Sequence, residues 1–231
     1  MGFFPFEIID LTHTLSTETP GWDLGCGFEI KNTLNYEDCD TDIKFKVQHV
    51  SLPAGIGTHI DAPAHCNPDR DTIEQLSINN HHLIAQGIVI DVSTKSHEQY
   101  FISAEDILSF EKQHEKIPQN SVVLFFTGWE QYWNNPQQYR NNLQFPSVSS
   151  DAAELLLERS IAALGIDTLS PDTPSSGFPV HHLFLSNGKY LIENVANAHK
   201  LPATGSWILT LPIKISQATE APARIIGMIP I

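Results

Sequence analysis

The chain reads as one α/β domain, residues 1–231, built on a mixed β-sheet. Three observations predict this class. Ile88-Val89-Ile90-Asp91-Val92 and Val122-Val123-Leu124-Phe125-Phe126 are compact apolar runs with the composition of buried strands. Helical stretches with capping signals begin at Ser103 and at Ser150 or Asp151. Strands and helices mix irregularly along the chain, with no repeat, low-complexity tract or linker, which points away from a doubly wound sheet.

In chain order, Ile8 to Leu11 reads as a short strand. Residues Thr19 to Asn35 are rich in Gly, Pro and Asp and read as a covering loop. Ile43 to Leu52 alternates and is predicted as a strand running into the segment that starts at His59. Ser103 caps a helix with Asp106 three residues later, where Glu is usual. The second helix is predicted to run through Leu164, with Leu155, Ile161, Ala162 and Leu164 on its buried side. Gly165-Ile166-Asp167 leads into a strand, and Trp207 to Ile213 and Ala223 to Ile229 close the chain as strands.

Composition narrows the function classes. There are 27 acidic and 13 basic side chains, a net charge of −14. A nucleic-acid or anionic-membrane partner needs a basic surface, so neither is expected. No run is long and apolar enough to span a bilayer. The start, Met1 to Glu7, lacks a signal peptide's basic and apolar regions, and Phe6 stands where a myristoylation motif has Ser or Thr. Cys26, Cys39 and Cys66 are an odd number without metal-type spacing, as expected of a reduced, cytoplasmic protein. Cys66 reads as a buried small hydrophobe, with a soft-ligand role as the alternative.

The chemistry concentrates in Gly57-Thr58-His59-Ile60-Asp61-Ala62-Pro63-Ala64-His65. In an extended chain His59 and Asp61 leave from one face. Pro63 fixes its own φ and holds Ala62 out of the helical region, so His65 follows a stiff bend at a strand end. His, Asp and His on a rigid bend resemble half of a metal site with an acid/base group beside it. The alternative is a polar strand end with histidines bonded to nearby backbone.

Completion of a metal site needs distant residues. Pro179 can open a short helix, Gly188 can end it, and Tyr190-Leu191-Ile192 reads as a strand that delivers Glu193. His181 and Glu193 flank this helix-turn-strand unit and can point at one place. Taken by themselves they read as a solvated histidine and a salt-bridged glutamate.

The chain resembles the metal-dependent cyclase/kynurenine formamidase family, whose signature is His-x-Gly-Thr-His-x-Asp-x-Pro-x-His. The resemblance extends over nearly the whole length. It includes Ile9 to Thr12, Thr19 to Trp22, Gly57 to His65, Thr127-Gly128-Trp129, Gly165 to Ser170, His181 to Asn194 and the stretch from Leu211 to Ile226. It implies a swivelling β/β/α fold, usually a homodimer or homotetramer, with one or two zinc or manganese ions. His59 would bind the first metal, Asp61 and Glu193 would bridge two, His181 would bind the second, His65 would be the acid/base, and Trp22 would line the substrate pocket. The implied activity is hydrolysis of a small amide or cyclic amide/ester, N-formylkynurenine first, with isatin or lactone hydrolysis as the alternative. A non-catalytic metal or small-molecule binder on the same scaffold is the reading from another class.

One position departs from the signature. Its first histidine falls at Gly55, which has no side chain to coordinate with. Water fills that position, or one metal is held by Asp61, His181 and Glu193, or His49 or Cys66 substitutes. His49 is six residues away, roughly 20 Å along a strand, so it would have to fold back. Asp10 and His13 are candidates for supporting the site or for a strand-end hydrogen bond, and Asp167 and Asp172 for supporting it or for capping the turns around Pro171 and Pro174. His81, His82 and His182 read as structural or surface residues, because neighbours in sequence point apart. No glycine-rich phosphate loop or Gly-x-Ser-x-Gly elbow is present, which disfavours a serine hydrolase.

Overall fold

The computed structural model describes residues 4–25, 27–78 and 82–231. Cys26, His81 and the first three residues, discussed above, lie outside them. The elements are β1 (Phe6–Asp10), β2 (Glu29–Leu34), β3 (Val47–Ser51), β4 (His59–Asp61), β5 (Ile84–Asp91), β6 (Phe101–Ile102), α1 (Ala104–Gln113), β7 (Val122–Phe126), α2 (Pro136–Arg140), β8 (Ser147–Val148), α3 (Ser150–Glu158), β9 (Ala163–Ile166), α4 (Pro179–Ser186), β10 (Tyr190–Glu193), β11 (Ser206–Pro212) and β12 (Glu220–Pro230).

The main sheet runs β1-β12-β11-β5-β7-β9-β10-β4, and β4 also pairs with β12. That last pairing closes the sheet into a barrel, with β1 continuing along the edge of β12 beyond β4. Strands β5, β7, β9 and β10 are parallel, and the remaining pairings are antiparallel. This is the α/β domain with a mixed sheet, of the swivelling β/β/α type, that the sequence leads one to expect.

Strand alternation gives the sheet two apolar faces. Val89, Val122, Leu124, Ala163, Tyr190 and Ile192 point into the barrel, together with Ile60 of β4 and Ala221 and Ala223 of β12. Ile88, Ile90, Val123, Phe125, Leu164, Ile166 and Leu191 point outward, against Ile107 and Phe110 of α1, Ala152, Ala153 and Leu156 of α3, and Val180, Phe184 and Leu185 of α4. Small side chains inside the barrel let its walls approach, as a tight closed sheet requires.

Three sequence-based expectations need correction. The stretch from Thr19 to Asn35 is not all loop: β2 pairs with β3 in a separate hairpin. Nearly every residue of that hairpin is exposed, and only its second strand, within the alternating stretch from Ile43, is signalled in the sequence. The strand expected from Ile43 starts at Val47 and belongs to this hairpin, not to β4. Helix α3 stops at Glu158 instead of reaching Leu164, because Ser160 adopts a left-handed φ of 56°. Its cap is Ser149, whose Oγ accepts from Ala152 N. Ala163, Leu164, Gly165 and Ile166 form strand β9 instead. The α1 cap is as expected, with Asp106 Oδ2 accepting from Ser103 N at 2.7 Å.

Gly165 marks the tightest interior contact of the parallel strands. A Cβ there would lie 2.5 Å from Leu124 Cδ2 and 3.3 Å from Ile192 Cβ. Gly165→Ala is expected to lower stability by about 1–3 kcal/mol through overpacking. Urea unfolding at constant m-value is the measurement, and an unchanged midpoint would show that the barrel wall yields freely.

Candidate metal and acid/base site

The site grows out of register. In β4, Ile60 faces the barrel interior, so His59 and Asp61 face outward. His59 is paired with Glu193 of β10, and Asp61 with Glu220 of β12. Directly paired residues share a face. Three adjacent strands thus carry one row of titratable side chains on the outer surface, where the parallel strands give way to β4. Helix α4 brings His181 over this row, and the turn Pro63–His65 brings His65. Ala62 is extended at φ −76°, ψ 159°, the conformation that Pro63 demands of its predecessor.

Each metal-type histidine is held by its Nδ1. His59 Nδ1 lies 2.8 Å from the Gly57 carbonyl, which can only accept, so Nδ1 carries the hydrogen. Its Nε2 then faces Asp61 Oδ1 at 3.4 Å and Glu193 Oε2 at 3.3 Å. His181 Nδ1 is 2.8 Å from Asp172 Oδ2, and its Nε2 lies 3.5 Å from both Asp61 Oδ2 and Glu193 Oε1. Asp172 also accepts from the backbone amides of Val180 and His181 in the first turn of α4, which locks helix and imidazole together. Asn194, at a left-handed φ of 56°, donates from Nδ2 to the same Gly57 carbonyl and fixes the turn before β4.

The electrostatics are those of a cation site. His59, Asp61, His181 and Glu193 are all buried. Asp61 Oδ1 and Glu193 Oε1 are buried without any hydrogen-bond partner. Burial opposes charge on His181, yet Asp172 and Asp61 hold its pKa up to about 11. Burial likewise opposes charge on His59, but Asp61 and Glu193 raise it well above the usual imidazole range. Burial, together with the Asp61 charge, pushes Glu193 up. Two carboxylates in a dry pocket need compensating positive charge, which a divalent cation held by these residues would supply. Imidazole and carboxylate donors suit zinc or manganese, so the residues fit the metal that the resemblance implies. Candidate ligand atoms of His59, Asp61 and Glu220 lie within 4.8 Å of one another, as do those of Asp61, His65 and His181.

A cavity of about 430 Å³ opens over this floor. Trp22, Phe178 and Leu169 form its apolar wall. The Trp22 and Phe178 rings are 5.9 Å apart between centroids. Arg140 Nε donates to the Trp22 carbonyl at 2.8 Å and pins the loop that carries the indole. Phe178 sits at φ 60°, ψ 44°, a left-handed conformation that is costly for an aromatic residue and places its ring edge-on to His181. His65 lines the same cavity, with Nδ1 3.4 Å from Glu220 Oε2. That contact, ahead of opposing burial, raises the His65 pKa.

The structure thus gathers His59, Asp61, His65, His181, Glu193 and Trp22 around one cavity. Of the supporting candidates, Asp172 contacts His181, whereas Asp167 is bound to Thr127 and Glu130. Asp10 pairs with Arg224, and His13 stacks on Trp133, away from the cavity. His49 is exposed on β3 and does not line the cavity. Cys66 lines it and is exposed, not the buried small hydrophobe expected, because it directly follows the Pro63–His65 turn; partial desolvation pushes its thiol up, away from the ligand-competent thiolate. Sequence reading missed Glu220 and Phe178. A left-handed phenylalanine has no signature in sequence, and Glu220 reaches the site only through the closing register of β12 on β4.

Residues 9–173 match the family described as "Putative cyclase". An isatin hydrolase from Roseibium aggregatum is 28% identical, over 97% of this chain and 92% of that protein. A kynurenine formamidase from Bacillus cytotoxicus is 23% identical, over 95% of this chain and 96% of that protein. The crystal structure of an isatin hydrolase bound to the product analogue thioisatinate superposes with a TM-score of 0.90 at 27% identity, covering 98% of this chain and 94% of that one.

Asp167 yields a pH prediction. It is fully buried, and burial raises its pKa to about 6 despite hydrogen bonds from Thr127. The folded state therefore holds this proton more tightly than the unfolded chain. Its stabilising contribution is complete below about pH 4 and is lost as pH rises through about 6. Asp167→Asn keeps the acceptor for Thr127 and is expected to stabilise by about 1–3 kcal/mol at pH 8 and by nothing at pH 4. Denaturant midpoints of both proteins at the two pH values test it, and a pH-independent difference would refute it.

Proposed function

Because the chain belongs to the cyclase family, we propose that it is a metal-dependent hydrolase of small aryl amides and cyclic amides. A ring of the isatin type is the first substrate and N-formylkynurenine the second. The observation that carries this reading is the placement of His65 beside an aromatic-walled cavity whose floor is a buried histidine–carboxylate cluster. The order of substrates follows the relatives, since the isatin hydrolases stand nearer in sequence than the formamidase named above.

His59, Asp61, His181 and Glu193 would hold one or two zinc or manganese ions. When bound, such a cation polarises a carbonyl and makes water acidic near neutral pH. Trp22 and Phe178 flank an aryl ring and exclude bulk water from the carbonyl. Glu220 engages His65 at Nδ1, which leaves Nε2 to receive the proton of the attacking water. The water oxygen bonds to the carbonyl carbon, the C–N bond breaks, and His65 Nε2 returns the proton to the leaving nitrogen. In a cyclic amide the new amine and carboxylate remain in one molecule; in a formamide, formate departs. A mere binder has no use for an imidazole so placed. The same reading includes a small molecule as partner and a homodimer or homotetramer in a cytoplasmic setting. Among the described residues no helix is long and apolar enough to cross a membrane.

Metal-loaded protein is expected to hydrolyse isatin, and more weakly N-formylkynurenine, with activity removed by chelation and regained on adding manganese or zinc. His65→Ala should lower kcat by about 10²–10⁴-fold with metal content unchanged. Spectrophotometric assay with elemental analysis tests both, and loaded protein inert toward isatin, formamides and lactones overturns the proposal.

A further inference from the structure

We propose that Glu220 is a metal ligand of this site and takes the place of the side chain that Gly55 lacks. The inference rests on the metal reading above and concerns one residue that the family signature does not contain. Gly55 and Glu220 line the same cavity from different ends of the chain. A Cβ built on Gly55 would run into Glu220 Oε1 and would lie 3.4 Å from His59 Nε2. The carboxylate oxygen therefore occupies the direction in which a residue-55 side chain would project, beside the first ligand. The position is set by backbone, since Glu220 is paired across β12–β4 with Asp61.

Two further observations point to a cation at this spot. Ligand atoms of His59, Asp61 and Glu220 lie within 4.8 Å of one another. Asp61 Oδ1, 3.4 Å from His59 Nε2, is buried and has no hydrogen-bond partner. The two oxygens of Glu220 face different groups, Oε1 toward the side-chain space of Gly55, and Oε2 toward His65 Nδ1 at 3.4 Å. One carboxylate thus reaches both the ion position and the acid/base histidine. A salt bridge to His65 alone would not account for the filling of the Gly55 position.

The exchange of an imidazole for a carboxylate has a chemical consequence. It replaces a neutral, borderline donor with an anionic, hard one. Oxygen donors favour manganese relative to zinc more than imidazoles do. The site is thus tuned toward manganese, and Gly55→His alone would bring its imidazole against the Glu220 carboxylate instead of restoring a family-type site.

The test is metal binding by the full chain after chelator stripping. Manganese is followed by the electron paramagnetic resonance of the free ion, and zinc by competition with a chromophoric chelator. Glu220→Gln is expected to weaken manganese binding by at least about tenfold, with the melting temperature of the stripped protein unchanged. The exchange variant Gly55→His/Glu220→Ala is expected to bind again, with the zinc-to-manganese affinity ratio raised at least about tenfold over that of the wild type. Equal manganese affinity in wild type and Glu220→Gln, with binding abolished in His59→Ala, overturns the role of Glu220 and leaves the metal reading standing. Failure of the wild type to bind either ion overturns the metal reading itself.

Discussion

Strand β4 is three residues long, yet it is the piece through which the barrel closes. One edge is hydrogen-bonded to β10 and the other to β12. Ile60 anchors it inward among the apolar side chains of the barrel. Because a strand alternates, burial of Ile60 obliges His59 and Asp61 to face outward under α4. A slip of one residue would bury both polar groups in the barrel and expose the isoleucine. The energetic demand of closure and the geometry of the site are therefore one constraint.

The site then has to be compatible with folding. Asp61 and Glu193 are buried, and each leaves one oxygen without a hydrogen-bond partner. Isolated carboxylates do not survive such burial as anions without compensation. The surrounding structure supplies orientation in place of neutralisation. Gly57 and Asp172 hold the Nδ1 atoms of His59 and His181, so that both Nε2 atoms converge on the carboxylates. Hydrogen bonds that fix an imidazole from behind raise its basicity and select the tautomer that coordinates. Against the opposing effect of burial, neighbouring carboxylates raise the pKa of both histidines, Asp61 and Glu193 for His59, and Asp172 with Asp61 for His181.

Much of this arrangement is legible in the sequence, and the rest fails for identifiable reasons. His59, Asp61 and His65 lie within one stiff segment, so their proximity is local. Strands β5 and β7 and the cap of α1 announce themselves through apolar runs and a capping box. His181 and Glu193 are legible as a helix-turn-strand pair, but only resemblance connects them to residue 59. Of the β2–β3 hairpin only β3 is signalled, by alternation from Ile43; β2 and its pairing are hidden because Glu29–Leu34 is exposed along almost its whole length. The end of α3 is hidden because a left-handed serine, not a glycine, terminates it. Glu220 depends on tertiary closure alone. In sequence it is an ordinary acidic residue at the start of a strand, and its meaning appears only when β12 lies against β4.

The aromatic wall and the charged floor are mechanically joined. Phe178 precedes Pro179, the first residue of α4, and Asp172 binds the next two amides of that helix. The strained backbone at Phe178 is therefore held by the helix that carries His181. A ring displaced from the cavity would shift the start of α4, and with it the imidazole over Asp61 and Glu193. The apolar wall that would meet a substrate ring and the orientation of the histidine thus draw on the same turn of chain. On the opposite wall, Glu220 stands between His65 and the side-chain space of residue 55. In the proposed reaction, recognition would enter through α4 and proton transfer through the Pro63–His65 turn, and both meet on β4, which is paired on each edge in the closed barrel.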